Sequence, residues 1–172
     1  SMSDANEKNL AMLPTWFAMG RASSMAELQA AHWETRGIPW VNTIATSKEG
    51  EAWYADTTRV PGWTDAAEAR FFELVDENPF IALMYDYGVV GGDGGDPLFD
   101  WTEVKPVAEA PSLERADFVV NANDSHWLST AEETLEGYSF FYGDERTPRS
   151  PRTRMNLRYL AETGPEAAVG ED

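Results

Sequence analysis

An α+β fold with long irregular segments is predicted by three features of the chain. A capping box, Ser24-Met25-Ala26-Glu27, opens a helix in which serine and glutamate satisfy free amide donors. Two runs suited to strands flank the polar loop Ser47-Lys48-Glu49-Gly50-Glu51, which suits a hairpin. Residues 124–151 follow neither a helical nor a strand period.

Taken in order, residues 1–8 are polar and read as a frayed end. Asn9 to Arg21 reads as helical around Leu10, Met12, Leu13, Trp16, Phe17 and Met19, despite Pro14. In the next helix Met25, Leu28 and Ala31 share one face, and Gly37 suits the residue just past its end. Strands are expected at Trp40–Thr46 and Ala52–Thr58. In the first of them Val41, Thr43 and Ala45 face one way and Asn42, Ile44 and Thr46 the other, a mixture that suits a strand covered on both faces.

Thr64 or Asp65 can cap a helix running to about Asp76, with Phe71, Leu74 and Val75 on its apolar side and Asn78-Pro79 ending it. Phe80 to Val90 is apolar but punctuated, and Gly91 to Asp100 is a glycine-rich loop. A short strand is expected at Asp117–Asn121 and a closing helix at about Arg154–Thr163. Residues 9–163 thus read as a single domain, with 1–8 and 164–172 as flexible ends. Ser1-Met2 reads as an expression scar or artificial start.

Charge and composition exclude several classes of function. The formal charge of −17 would repel phosphate backbones and anionic bilayer surfaces, so neither nucleic acid nor membrane is an expected partner. With no cysteine there is no disulfide framework, thiol nucleophile or thiolate zinc site, and two histidines are too few for a histidine-rich metal centre. No apolar run reaches the ~20 residues of a membrane-spanning helix. No charged-then-apolar signal peptide opens the chain. Seven Trp, six Tyr and eight Phe call for large packed surfaces or pockets for apolar ligands, and composition alone does not choose between them.

Three segments carry candidate chemistry. In Phe118-Val119-Val120-Asn121-Ala122-Asn123-Asp124, a strand runs into amide and carboxylate side chains. An asparagine there can aim its NH2 at a developing oxyanion, or simply cap a turn. In Pro148-Arg149-Ser150-Pro151-Arg152-Thr153-Arg154, clustered arginines can clamp a carboxylate or order the amides of a site. Otherwise they pair with surface acids, which contributes ~0–1 kcal/mol per exposed pair. Asp93, Asp96 and Asp100 lie on the glycine loop and offer oxygen ligands to calcium, but their spacing is not that of an EF-hand, which favours solvated turn carboxylates. The run Asp124-Ser125-His126 is no hydrolase triad, because neighbours in sequence rarely meet in triad geometry and no G-x-S-x-G elbow is present.

Together these segments resemble a known family. Trp16, the helix Arg21-Ala22-Ser23-Ser24-Met25-Ala26-Glu27-Leu28, and Gly37-Ile38-Pro39-Trp40-Val41-Asn42-Thr43, with Tyr54 and Val60-Pro61 following, are similar to the middle of the β-chain of penicillin acylase relatives. A second block agrees, with Asp117-Phe118-Val119, Asn121, Asn123-Asp124-Ser125, Trp127-Leu128, Leu135-Glu136-Gly137-Tyr138-Ser139 and Pro151-Arg152-Thr153-Arg154. The resemblance is strongest to acyl-homoserine-lactone acylases and aculeacin-type lipopeptide acylases. It covers roughly residues 10–61 and 115–160, and is thin between them apart from Gly92–Trp101.

The resemblance implies part of an αββα N-terminal-nucleophile hydrolase sandwich. In that family the β-chain begins with a serine whose own α-amine activates its hydroxyl. The serine attacks an amide, an acyl-enzyme forms, and water releases the acid. By resemblance the oxyanion asparagine falls on Asn123 and the arginine that orders it on Arg152, while the acyl-pocket wall falls on Trp16, Trp40 and Val41. The Asn123 amide is expected to face the same hollow as the two indoles, with Arg152 bracing it.

No cofactor and no metal are implied. The expected partners are the remainder of the acylase (an α-chain and a serine-starting β-chain segment) and an N-acylated small molecule such as an acyl-homoserine lactone, lipopeptide or β-lactam. A secreted or periplasmic parent enzyme is implied too. No family-like nucleophilic serine opens this chain, so it is expected to be inactive alone. The alternatives are a non-catalytic binding module with a Trp-lined apolar ligand face, and an acidic interaction domain without a pocket.

Overall fold

A computed structural model of the protein describes residues 4–91, 96–101 and 103–163. In chain order the elements are α1 (Met12–Met19), α2 (Met25–Thr35), β1 (Thr43–Thr46), β2 (Ala52–Ala55), α3 (Asp65–Glu77), α4 (Pro79–Asp86), β3 (Ser112–Arg115) and α5 (Pro151–Thr163). Short 3-10 turns lie at Val107–Glu109, His126–Leu128 and Phe140–Tyr142. Mixed helices with one small antiparallel sheet make this an α+β fold. The described residues divide into two compact units, one built from Asn9–Arg59 and 107–163, the other mainly from Val60–Pro106.

The larger unit is organised by its sheet, whose strands are ordered β1-β2-β3 with Thr43 opposite Ala55 and Tyr54 opposite Leu113. Only β2 has a neighbour on both sides, and it is buried on both faces. On one face Trp53 and Ala55 pack with Met25, Leu28, Trp33 and Ala45, which seats α2. On the other, Tyr54 packs with Leu113, Val119, Leu135 and Tyr138. Fully burying such side chains contributes roughly 1.5–3 kcal/mol each, so the loops from 119 to 138 are held to the sheet although they lack regular structure.

The strand expected from Trp40 begins only at Thr43 and is covered on one face, leaving Ile44 exposed. As an edge strand, β1 lacks the neighbour that would shield its second face. The expected strand at 117–121 is replaced by β3 at 112–115. Asp117 explains the shift, because its carboxylate accepts from the Phe118 amide at 2.7 Å and from the Arg115 guanidinium at 2.6 and 2.7 Å. Such local side-chain bonds compete with a strand ladder.

Helix α2 starts as expected, with Ser24 Oγ accepting from the Glu27 amide at 3.2 Å. The return bond closes one residue early, on the Ser23 amide at 2.7 Å. At the other end Arg36, not Gly37, takes the left-handed conformation, with φ 53°. Gly37 is required for close approach instead, since a Cβ there would run into Thr15 Oγ1 and the Ala11 carbonyl. Thr15 also meets Thr35, their hydroxyl oxygens 2.5 Å apart, and so joins α1 to α2. Of the apolar residues that marked α1, Leu13, Trp16 and Phe17 are exposed.

In the smaller unit Thr64 Oγ1 caps α3 through the Ala67 amide at 3.2 Å. Asn78 ends α3 and at once caps α4 through the Phe80 amide at 3.0 Å, with Pro79 as the first helical residue. The punctuated apolar stretch from Phe80 is therefore a helix. Trp63 is the centre of this unit, in ring contact with Phe71, Phe99 and Trp101. Lys105 Nζ lies 2.7 Å from the Trp63 carbonyl and 3.1 Å from Glu68 Oε1.

Candidate functional site

The turn after Val120 is built by its own side chains. Val120 donates its amide to the Ser129 carbonyl at 2.8 Å, closing the base of the loop. Asn121 Oδ1 accepts from the Asn123 amide at 2.9 Å, while Asn121 Nδ2 donates to the Asp124 carbonyl at 2.9 Å. This Asx turn carries Asn123 at φ 68°, a left-handed conformation that asparagine tolerates better than most residues.

Helix α5 meets that turn with its first residues. It begins at Pro151, three residues before the expected Arg154, because Ser150 Oγ accepts from the Thr153 amide at 3.2 Å and proline suits the first helical position. Asp124 Oδ2 accepts from the Ser150 amide at 3.1 Å. The Thr153 hydroxyl above all, then Ser150 and the Arg152 guanidinium, hold the Asp124 carboxyl below its usual range. Thr153 is 1% exposed and, with Leu157 four residues on, forms the buried stripe of α5. Arg152, between Pro151 and Thr153, faces the turn and donates from Nη1 to Asn123 Oδ1 at 2.9 Å.

That last bond settles the orientation of an amide. A guanidinium has donors only, so the oxygen of Asn123 must face it and the NH2 must point away. Asn123 is exposed, and its NH2 makes no hydrogen bond among the described residues. The outcome is a fixed, neutral donor pair aimed outward, the geometry suited to receiving developing negative charge.

The structure thus brings Asn123 and Arg152 together. Trp16, Trp40 and Val41 are instead solvent-facing, 44%, 72% and 41% exposed, and neither indole hydrogen-bonds to that pair. Trp16 lies on α1, and Trp40 and Val41 lead irregularly into β1. The arginine cluster does not end in simple surface pairing, for Arg149 donates to the Ala131 carbonyl at 3.1 Å and Arg152 to an amide. The residues that seat the pair, Asn121, Asp124, Ser150 and Thr153, lie inside the two segments marked from the sequence but were given no role of their own there. Serine followed by proline and then threonine three positions on was the helix-start signal that leads to them.

The neighbours of Asp124 go separate ways, as expected of a run that is no triad. Ser125 Oγ donates to the Asp144 carbonyl, and the buried His126 ring lies 3.4 Å from both the Tyr142 carbonyl and Glu145 Oε1. On the glycine loop Asp96 Oδ1 accepts from the Leu98 amide at 2.9 Å, and Asp93 lies outside the described residues, as do Ser1-Met2 and residues 164–172. Among the described residues no cluster of His, Asp or Glu is placed to hold a metal ion.

The comparisons with known proteins agree with the family resemblance. The penicillin amidase family model matches residues 2–169, so the chain belongs to that family. It is similar to aculeacin-A acylase of Actinoplanes utahensis, 36% identical over an alignment of 165 residues that covers 91% of this chain and 20% of that protein. Similarity extends to the acyl-homoserine lactone acylase PvdQ of a Pseudomonas fluorescens strain, at 32% identity over 94% of this chain and 21% of the relative. The corresponding acylase of a Pseudomonas putida strain is 33% identical over 93% of the chain and 21% of its own length. The chain thus spans about one fifth of the length of these curated relatives, all of which are acylases.

Proposed function

We propose that this chain is the oxyanion-stabilising and pocket-forming part of an N-acyl amide hydrolase with an αββα N-terminal-nucleophile sandwich. The observation that carries the reading is the Arg152–Asn123 bond, which leaves the asparagine NH2 directed outward. In the proposed reaction a serine hydroxyl, deprotonated by the α-amine of the same residue, adds to the amide carbon of the substrate. The carbonyl oxygen gains the charge, and Asn123 donates to it. Collapse expels the amine, which takes up the proton, and water then releases the acid from the acyl-enzyme.

Trp16, Trp40 and Val41 form the wall for the acyl chain in this reading, and their exposure supports it, because an apolar chain laid on them gains ~0.8 kcal/mol per buried methylene. The serine is supplied by the rest of the acylase. A chromogenic fatty-acyl anilide tests the proposal. The chain alone should release no chromophore, and mixing with the serine-starting segment and α-chain should give turnover. Release by the isolated chain would overturn it.

A further inference from the structure

The placement of Arg152 over Asn123 depends on a third residue. We infer that Asp124 is a positioning residue of this site, an anchor that ties the start of α5 to the asparagine turn so that the Arg152 guanidinium reaches Asn123. The inference rests on the proposed role of Asn123 for its catalytic consequence, but not for its geometry.

Four observations carry it. Asp124 directly follows Asn123, and its own carbonyl is held by Asn121 Nδ2 at 2.9 Å, so the residue is fixed at both backbone and side chain. Its carboxylate takes the Ser150 amide at 3.1 Å, just before the first residue of α5. Free amide donors and the positive end of the helix dipole gather at that point, so an anion is well matched there. The hydroxyl of Thr153, which is buried and lies 3.4 Å from Ser150 Oγ, also favours the charged carboxylate. Ser150 and Thr153 flank Arg152 at the opening of the helix.

The first turn of α5 acts on Asn123 as a lever. Arg152 is exposed, and a long guanidinium side chain held only loosely by the nearby charge of Asp124 would sample many rotamers. What narrows its reach is the position of its Cα, and that is set by the first turn of α5. Of the two residues that Asp124 holds, Ser150 lies two positions before Arg152 and Thr153 directly after it. Removing the carboxylate frees this turn to shift relative to the 121–124 loop, and the amide of Asn123 loses its fixed orientation without any change in Asn123 or Arg152. Asn121 cannot compensate, since both ends of its side chain are committed to the turn itself.

Two measurements on Asp124→Ala and Asp124→Asn test this. The first is made on the chain alone, by nitrogen-15 NMR of the Asn123 side-chain amide and the Arg152 guanidinium. Asp124→Ala should move the Asn123 NH2 resonances to the positions they take in Arg152→Ala, with the backbone amides of β2 unchanged. Asp124→Asn keeps one acceptor for the Ser150 amide and should move them part of the way.

The second measurement uses the reconstituted acylase. There Asp124→Ala should lower kcat roughly 10- to 100-fold with KM nearly unchanged, as expected when a reacting group is misplaced by about an ångström. The loss should not add to that of Arg152→Ala. Wild-type resonances of the Asn123 amide in both Asp124 variants would overturn the inference. A kcat reduced by Asn123→Ala but untouched by Asp124→Ala would overturn it while leaving the proposed function standing. A kcat untouched by Asn123→Ala would overturn the proposed function, and the NMR result would still decide the anchoring.

Discussion

Arg152 Nη1 donates to Asn123 Oδ1 at 2.9 Å, across 29 residues of chain that are mostly without regular structure. The contact exists because two local motifs, an Asx turn at 121–124 and a serine–proline helix start at 150–151, are tied together by Asp124. It orients an amide whose free donors the proposed chemistry requires.

Arg152→Lys should therefore not be a mild change. An ammonium on a flexible stem has no planar fork to hold against the amide oxygen, so the orientation of Asn123 is loosened although the charge is kept. In the reconstituted acylase we expect kcat to fall about tenfold or more, with KM changed little. Steady-state kinetics on a fatty-acyl anilide checks this, and an unchanged kcat would refute it.

Trp16→Ala and Trp40→Ala should separate stability from specificity. Trp40 is 72% exposed, so its truncation should shift stability by no more than about 0.5 kcal/mol, and that of Trp16, 44% exposed, by about 1–2 kcal/mol. The reconstituted enzyme should lose preference for long acyl chains, read as kcat/KM against chain length. An unaltered chain-length profile would remove both residues from the pocket wall.

Trp53→Ala makes the opposite case. Trp53 is buried on β2, packs against α2 and donates its indole N–H to Ser112 Oγ at 3.1 Å. Truncation should cost about 3–5 kcal/mol, enough to unfold much of a marginally stable domain. Circular dichroism through a urea titration measures it.

His32 should make the chain acid-sensitive. It is fully buried, lies 2.8 Å from Thr57 Oγ1, and burial pulls its pKa down to about 4. The unfolded chain takes up a proton near 6.5 and the folded one does not, so stability is complete above that value and falls as pH drops from 6.5 toward 4. The loss is on the order of 3 kcal/mol. Urea midpoints at pH 7 and 4.5 should differ much less in His32→Gln than in the wild type.

Local chemistry was legible in the sequence where one residue type has one physical use. The caps at Ser24 and Thr64 form as expected, and Asn78-Pro79 ends a helix. Asn123 and Arg152 could be named from family resemblance, and the structure joins them. What stayed hidden depends on partners distant in sequence. Whether β1 is covered on both faces is decided by its place at the sheet edge, not by its own alternation. The strand expected at 117–121 was displaced by the bonds of a single aspartate. Arg36 adopts the conformation expected of a glycine, because Gly37 is needed where α1 comes close. Asp124 was quoted only as part of the Asn123-Asp124-Ser125 match and of a rejected triad run, and its anchoring contact follows only from where α5 begins.

In the proposed reaction the side-chain NH2 of Asn123 donates to the charge that develops on the substrate, and kcat of Asn123→Ala in the reconstituted acylase tests that most directly. Loss of one such donor should lower kcat about 10²- to 10³-fold with KM nearly constant, while alanine at this left-handed position should lower the stability of the chain by only about 1–2 kcal/mol. A variant that turns over at the wild-type rate would contradict the account.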